Sequence, residues 1–124
     1  MDAGSASPTT TVGTGALGED LAARYLELRG WRLLARNLRA GQKEIDLLAT
    51  DGDCLVFVEV KLRCGDRYGR AAEALTGRKL ALLRAALRET VHRRQWRGAY
   101  RLDLVTIDID PARDRLLLEH YRGL

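Results

Sequence analysis

Apolar residues along this chain recur first at helical spacing and then at strand spacing. Leu17, Leu21, Tyr25 and Leu28 stand three or four positions apart, which predicts a helix over 16–29. Gly30 suits its stop, because glycine readily adopts the left-handed conformation that closes many helices. Residues 31–38 then read as a strand bounded by Ala40-Gly41, and 44–50 as a second strand. Asp51-Gly52-Asp53 is a hairpin turn signal. Residues 54–62 form a third strand of nearly continuous apolar character, so the three are expected to make an antiparallel meander. A loop over 63–69 contains Gly65, Asp66 and Gly69. Thr76 is a candidate N-cap for a second helix running to His92 or Arg94, with Leu80, Leu83, Leu87 and Val91 on one face. Residues 100–109 and 115–121 complete the pattern as strands, separated by the Asp110-Pro111 turn. This order of elements predicts an α/β fold, a mixed central sheet of about five strands flanked by helices.

Composition narrows the class. The 124 residues suit one domain, and 46% hydrophobic with 31% charged residues is ordinary for a globular protein. No apolar run approaches the roughly 20 residues that span a bilayer, so no membrane partner is expected. Residues 1–15 are rich in Gly, Ser and Thr, with neither a basic start nor an apolar stretch. They read as a disordered lead-in, not a signal peptide, ahead of a folded domain over 16–124. Cys54 and Cys64 form no CxxC pair, and His92 and His120 lie far from them, so zinc spacing is absent. Reduced thiols and a cytoplasmic location are the simplest expectation. The net charge of +4 permits a polyanionic partner. Its excess comes from arginine, Lys43, Lys61 and Lys79 being the lysines.

The third strand is the most informative segment. Leu55-Val56-Phe57-Val58 is apolar, and Glu59 and Lys61 then appear at its end, two residues apart. Side chains at i and i+2 share a face of a strand. A buried charge is costly unless it is paired or bound to a metal. Asp46 interrupts the second strand in the same way. A two-residue turn pairing Asp51 with Cys54 would set Asp46 opposite Glu59, and a bulge would move this by one residue. Two carboxylates and a lysine on one patch suit phosphodiester hydrolysis. Asp46 and Glu59, with the Val60 carbonyl between the key side chains, could hold Mg2+ or Mn2+, and Lys61 could orient water. The same spacing is equally met by a plain ion pair, Asp46–Lys61 or Glu59–Lys61.

Asp46 followed by Glu59-Val60-Lys61 resembles the PD-(D/E)XK nuclease motif. Three blocks resemble more closely the YraN-like uncharacterised protein family of bacteria. They are Gly18-Glu19-Asp20-Leu21-Ala22 with Tyr25-Leu26, Gly30-Trp31 and Arg36-Asn37; Glu44-Ile45-Asp46-Leu47-Leu48-Ala49; and Val56 to Arg63, followed by Tyr68-Gly69 and Lys79. Arg101-Leu102-Asp103-Leu104-Val105 is similar to that family's late strand. The resemblance implies a restriction-endonuclease-like core, similar to archaeal Holliday-junction resolvases. It also implies a metal-dependent endonuclease acting on DNA, branched DNA included, and a homodimer. By the same resemblance Glu19, from the first helix, joins the metal site; read alone, it is a carboxylate near a helix N-terminus. Two departures stand out: Lys43 replaces the glycine usual before Glu-Ile-Asp, and Ile45 replaces the motif's leading proline.

The second helix carries Arg84, Arg88 and His92 four residues apart, a stripe that could follow phosphates or simply face solvent. Lys43 and Lys79 are further candidates for nucleic-acid contact. Trp31 and Trp96 could stack on bases, although core burial fits Trp31 better. Gly13-x-Gly15-x-x-Gly18 spells a dinucleotide fingerprint but lacks the preceding buried strand. Two functions remain alongside the nuclease: a nucleic-acid-binding protein of the same fold that is non-catalytic or partner-dependent, and a protein-binding scaffold.

Overall fold

The computed structural model describes residues 10–65 and 75–124. Its elements are α1 (Thr10–Leu28), β1 (Arg32–Ala40), β2 (Lys43–Asp51), β3 (Cys54–Cys64), α2 (Gly77–Arg93), β4 (Tyr100–Asp110) and β5 (Arg115–Tyr121). A short 3-10 turn, Pro111–Arg113, joins the last two strands. The five strands form one sheet in the order β1-β2-β3-β4-β5. β3 and β4 run parallel, with α2 in their connection, and the other neighbours are antiparallel. The expected mixed sheet and helix order are therefore present. Tyr68-Gly69 and most of the expected 63–69 loop lie outside the described residues.

Period-2 alternation on β3 assigns each helix to a face. Val56 and Val58 pack with Ala22, Ala23 and Leu26 of α1 and with Trp31. Leu55 and Phe57 point the other way and pack with Leu83, Ala86 and Leu87 of α2. Burying a leucine or phenylalanine of this kind contributes about 1.5–3 kcal/mol, so these two clusters dominate the fold's stability. α2 begins as its sequence suggests, with the Thr76 side chain accepting a hydrogen bond from the Lys79 backbone N–H.

α1 differs from expectation in two respects. It starts at Thr10, inside the segment read as a lead-in, since extending an anchored helix is far cheaper than nucleating one. Leu21 and Tyr25 of the expected stripe pack partly buried against the sheet, but the most buried residues are Ala22, Ala23 and Leu26, and Leu17 and Leu28 are 44% and 86% exposed. α1 lies close against β3. A Cβ on Gly18 would come within 3.2 Å of the Leu62 Cβ. The fingerprint glycines Gly15 and Gly18 are thus part of a helix, and no strand precedes them among the described residues.

Alternation also slips on β1 and β2. Leu47 packs on the α1 side, yet Ile45, two residues away, packs on the α2 side with Leu48. Across from this slip, between the pairs Arg36↔Leu47 and Leu38↔Ile45, stands Asn37 with φ of 53°. Asparagine tolerates this left-handed conformation better than most residues. The strand rotation falls on Asp46. Asn37→Val is expected to cost about 1–3 kcal/mol while Asn37→Gly is tolerated, as read by urea unfolding. Equal losses in both would show that the side chain, not the backbone, matters there.

Candidate metal centre

The β2–β3 ladder runs from Asp51↔Cys54 to Leu47↔Val58 and then ends. The next residues in that register are Asp46 and Glu59. Beyond the last ladder pair, the Val60 backbone N–H donates to Asp46 Oδ2 at 2.8 Å. A side chain thus takes over where the backbones part. The N–H and C=O of one strand residue point to the same neighbour, so the Val60 carbonyl is directed to the Asp46 side and away from β4.

The two carboxyl groups are only partly exposed and share a hydrogen bond. Burial, then the nearby Asp46 charge, pushes Glu59 from its ordinary 4.5 up to about 7. Burial likewise raises Asp46, opposed by the Val60 N–H and by its bond to Glu59. Positive charge from Lys43 and Lys61 acts on Glu59 in the opposite sense. Among the described residues Lys61 forms no ion pair, so the plain Asp46–Lys61 or Glu59–Lys61 pair is not what these residues make. The carboxylates instead face each other.

Asp46, Val60 and Lys61 line a cleft of about 270 Å3 together with Gly18, Glu19 and Leu62. Glu19 therefore reaches the same cleft from α1, but it is engaged by Arg36 at 3.5 Å, which also holds Asp20 at 2.8 Å. Among the described residues no three His, Cys, Asp or Glu side chains converge as a metal cage. Two carboxylates and a carbonyl nonetheless fit magnesium, which keeps several waters and commonly takes one or two protein carboxylates plus substrate phosphate. The all-oxygen donor set does not suit zinc.

The remaining sequence candidates separate. Lys43, half-buried at the start of β2, acts on Glu59 through its charge and belongs to the site's electrostatics. Lys79 is exposed in the first turn of α2, with no described contact to the acidic pair. Arg84 and Arg88 line grooves beside the start of β4. Trp31 is buried in the α1 cluster, with Arg101 and Arg122 over its ring.

Two polar features were not anticipated. Asp103, fully buried, accepts from Arg101 Nε at 3.0 Å, from Arg101 NH2 at 3.2 Å and from the Gly123 N–H at 3.0 Å. Its Oδ2 also lies 2.8 Å from His120 Nε2, and His120 Nδ1 lies 2.8 Å from the Tyr25 hydroxyl. On the other face, Thr106 and Asp108 stand beside Lys61 and Arg63 in the parallel register. The Thr106 hydroxyl, both Asp108 oxygens and Arg63 Nε are buried without hydrogen-bond partners. The alternation Thr106-Ile107-Asp108-Ile109-Asp110 signals a polar stripe on β4, but not its burial.

No helix among the described residues is long and apolar enough to cross a membrane. The model of the uncharacterised protein family UPF0102 matches residues 18–107, which includes Glu19, Asp46, Glu59, Lys61 and Asp103. A UPF0102 protein of Pelotomaculum thermopropionicum is 42% identical over 110 residues, covering 88% of this chain and 92% of the relative. One from Renibacterium salmoninarum is 44% identical over 116 residues, covering 93% and 98%. One from Nocardioides sp. is 46% identical over 114 residues, covering 89% of each. With the match extending over most of the chain and most of each relative, this protein belongs to the uncharacterised protein family UPF0102.

Proposed function

We propose that this protein is a metal-dependent endonuclease that hydrolyses phosphodiester bonds in DNA, branched DNA included. The observation that carries the reading is the pairing of Asp46 with Glu59 where β2 leaves β3, beside the Val60 carbonyl and an unpaired Lys61. Two hydrogen-bonded, largely buried carboxylates repel one another when ionised, so they weaken the fold unless a cation serves them. That conflict suits a functional site better than a structural one.

Asp46, Glu59 and the Val60 carbonyl would hold Mg2+ or Mn2+, with Glu19 reaching the same cleft from α1. When bound, such an ion supplies Lewis-acid polarisation of the phosphate and lowers the pKa of a coordinated water. Lys61, with no carboxylate claiming it, would orient the attacking water and offset charge growing on the phosphoryl oxygens. Lys43 adds positive charge beside Glu59 and favours the ionised carboxylate that a cation needs.

The test is cleavage of labelled linear, nicked, flapped and four-way DNA with magnesium or manganese, beside the Asp46→Asn and Glu59→Gln proteins. Wild-type cleavage lost in both variants is expected, a loss of about 100-fold or more. Equal cleavage by all three proteins would overturn the reading. A second reading is a nucleic-acid-binding protein of the same fold that lacks turnover. Glu19's engagement by Arg36 favours it, because it leaves two carboxylates where three would bind a cation more tightly. It predicts salt-sensitive binding with no metal-dependent product.

A further inference from the structure

A groove lies beside α2 near the start of β3, while the acidic pair lies at the middle of that strand. One part, about 470 Å3, is lined by Arg88, His92, Trp96 and Arg97. The adjoining part, about 270 Å3, is lined by Arg84, Arg88 and Tyr100. Arg88 lines both, so the two parts adjoin at this side chain. On the same helix Glu89 is paired with Arg93 at 3.2 Å. Among the described residues Arg84, Arg88 and Arg97 have no carboxylate within ion-pairing distance. The groove thus gathers uncompensated guanidinium groups, whose planar forks suit phosphate.

Aromatic rings accompany these charges. The Trp96 indole N–H donates to the Ala99 carbonyl at 2.8 Å, which satisfies its polar edge, and its ring packs half-buried against the α2 cluster while lining the groove. Tyr100 is 45% exposed at the start of β4. Bases inside a duplex are stacked on one another and cannot lie against such rings, whereas those of a single strand can.

We infer that this groove binds a single strand of nucleic acid, with phosphates on Arg84, Arg88 and Arg97 and a base against Trp96 or Tyr100. The choice of ligand class rests on the nuclease reading, but different residues carry it. Tyr100 pairs in register with Leu55, and Glu59 lies four residues further along β3. At about 3.3 Å per residue the groove begins roughly 13 Å from the acidic pair. Phe57 faces the α2 cluster, and alternation places Glu59 on that same face. A strand leaving the groove can therefore continue along that face toward Glu59, while the cleft lined by Asp46 and Glu19 opens beside α1.

The experiment measures anisotropy of labelled single-stranded and duplex oligonucleotides on the full chain in EDTA. It compares wild type, Tyr100→Ala and the double variant Arg84→Gln/Arg88→Gln. Single-strand binding is expected in wild type. It should weaken about tenfold or more in the double variant, with the log–log salt slope shallower by about 1.4, the equivalent of two phosphate contacts. Tyr100→Ala should weaken it about fivefold. Absence of wild-type binding, unchanged affinity and slope in the double variant, or duplex bound as tightly as single strand would each overturn the proposal. All the substituted groove residues are exposed, and unchanged melting temperatures would verify that the variants fold. Groove binding without metal-dependent cleavage would sink the nuclease reading alone. Cleavage with binding unaffected by the arginine changes would sink the groove alone.

Discussion

Glu59→Gln is expected to melt higher than the wild type above about pH 7 without metal, and to lose the response to magnesium. Glu59 ionises near 7 in the folded chain, against 4.5 ordinarily, because it is buried beside Asp46. Below about pH 4.5 it is protonated in both folded and unfolded states, and its contribution to stability is fully present. Between that pH and 7 the unfolded chain releases its proton first, so wild-type stability falls as pH rises; above 7 the loss is complete. Asp46, also raised, acts in the same direction from its ordinary 3.8. Glutamine has no proton to lose, and its amide N–H can donate to Asp46 as protonated Glu59 does. A gain of about 0.5–2 kcal/mol is the usual scale for relieving such a conflict at a functional site. It would appear as roughly 2–10 °C in melting temperature.

On the proposed reading, cation binding would reverse the balance, since both carboxylates must be ionised to serve as ligands. Magnesium should raise the wild-type melting temperature more at about pH 8 than at about pH 6, the two sides of the Glu59 transition. Scanning calorimetry across this range, with EDTA and with magnesium, checks both halves. A pH dependence in Glu59→Gln as steep as that of the wild type would show that another group causes the decline. Magnesium stabilising the variant as strongly would move the cation elsewhere.

Asp103→Ala is expected to be the most destabilising single change of those considered, at about 3–5 kcal/mol. Asp103 is fully buried and gathers Arg101, His120 and the Gly123 N–H around one carboxylate. Arg101 in turn reaches Asp51 at the β2–β3 turn and lies over Trp31, and His120 meets Tyr25 of α1. Removing the carboxylate leaves a guanidinium and a backbone N–H partly desolvated without their acceptor. Asp108→Asn offers the contrast. Asp108 is as deeply buried but accepts no hydrogen bond, so its removal breaks none and should cost far less. Urea unfolding of the two variants decides the matter. A loss below about 1 kcal/mol in Asp103→Ala would mean that the network contributes geometry more than stability.

Much of this was legible in the sequence because it follows from short-range rules. The 2- and 3.6-residue periods set the elements, Asp51-Gly52-Asp53 fixed the hairpin, and that hairpin's register carried Asp46 to Glu59. Thr76 announced its helix, and Lys61 stood out as a charge at the end of an apolar strand. Other features depended on contacts between residues distant along the chain. On α1, Leu21 and Tyr25 pack partly buried as their spacing predicts, but the burial centres on Ala22, Ala23 and Leu26 and leaves Leu17 and Leu28 exposed, because the close approach of β3 at Gly18 sets which side of the helix meets the sheet. The rotation of β2 at Asp46 arises opposite a left-handed Asn37 on another strand, which no pattern within β2 records. Asp103, His120 and Tyr25 meet only when β5 pairs with β4 and α1 covers both. The sequence by itself determined which residues are able to do chemistry and the order of the elements holding them, since both are local properties. Tertiary structure alone decided which charges are paired, since pairing depends on distances that only the packed sheet sets: Glu19 with Arg36, Asp103 with Arg101, and Lys61 with neither carboxylate.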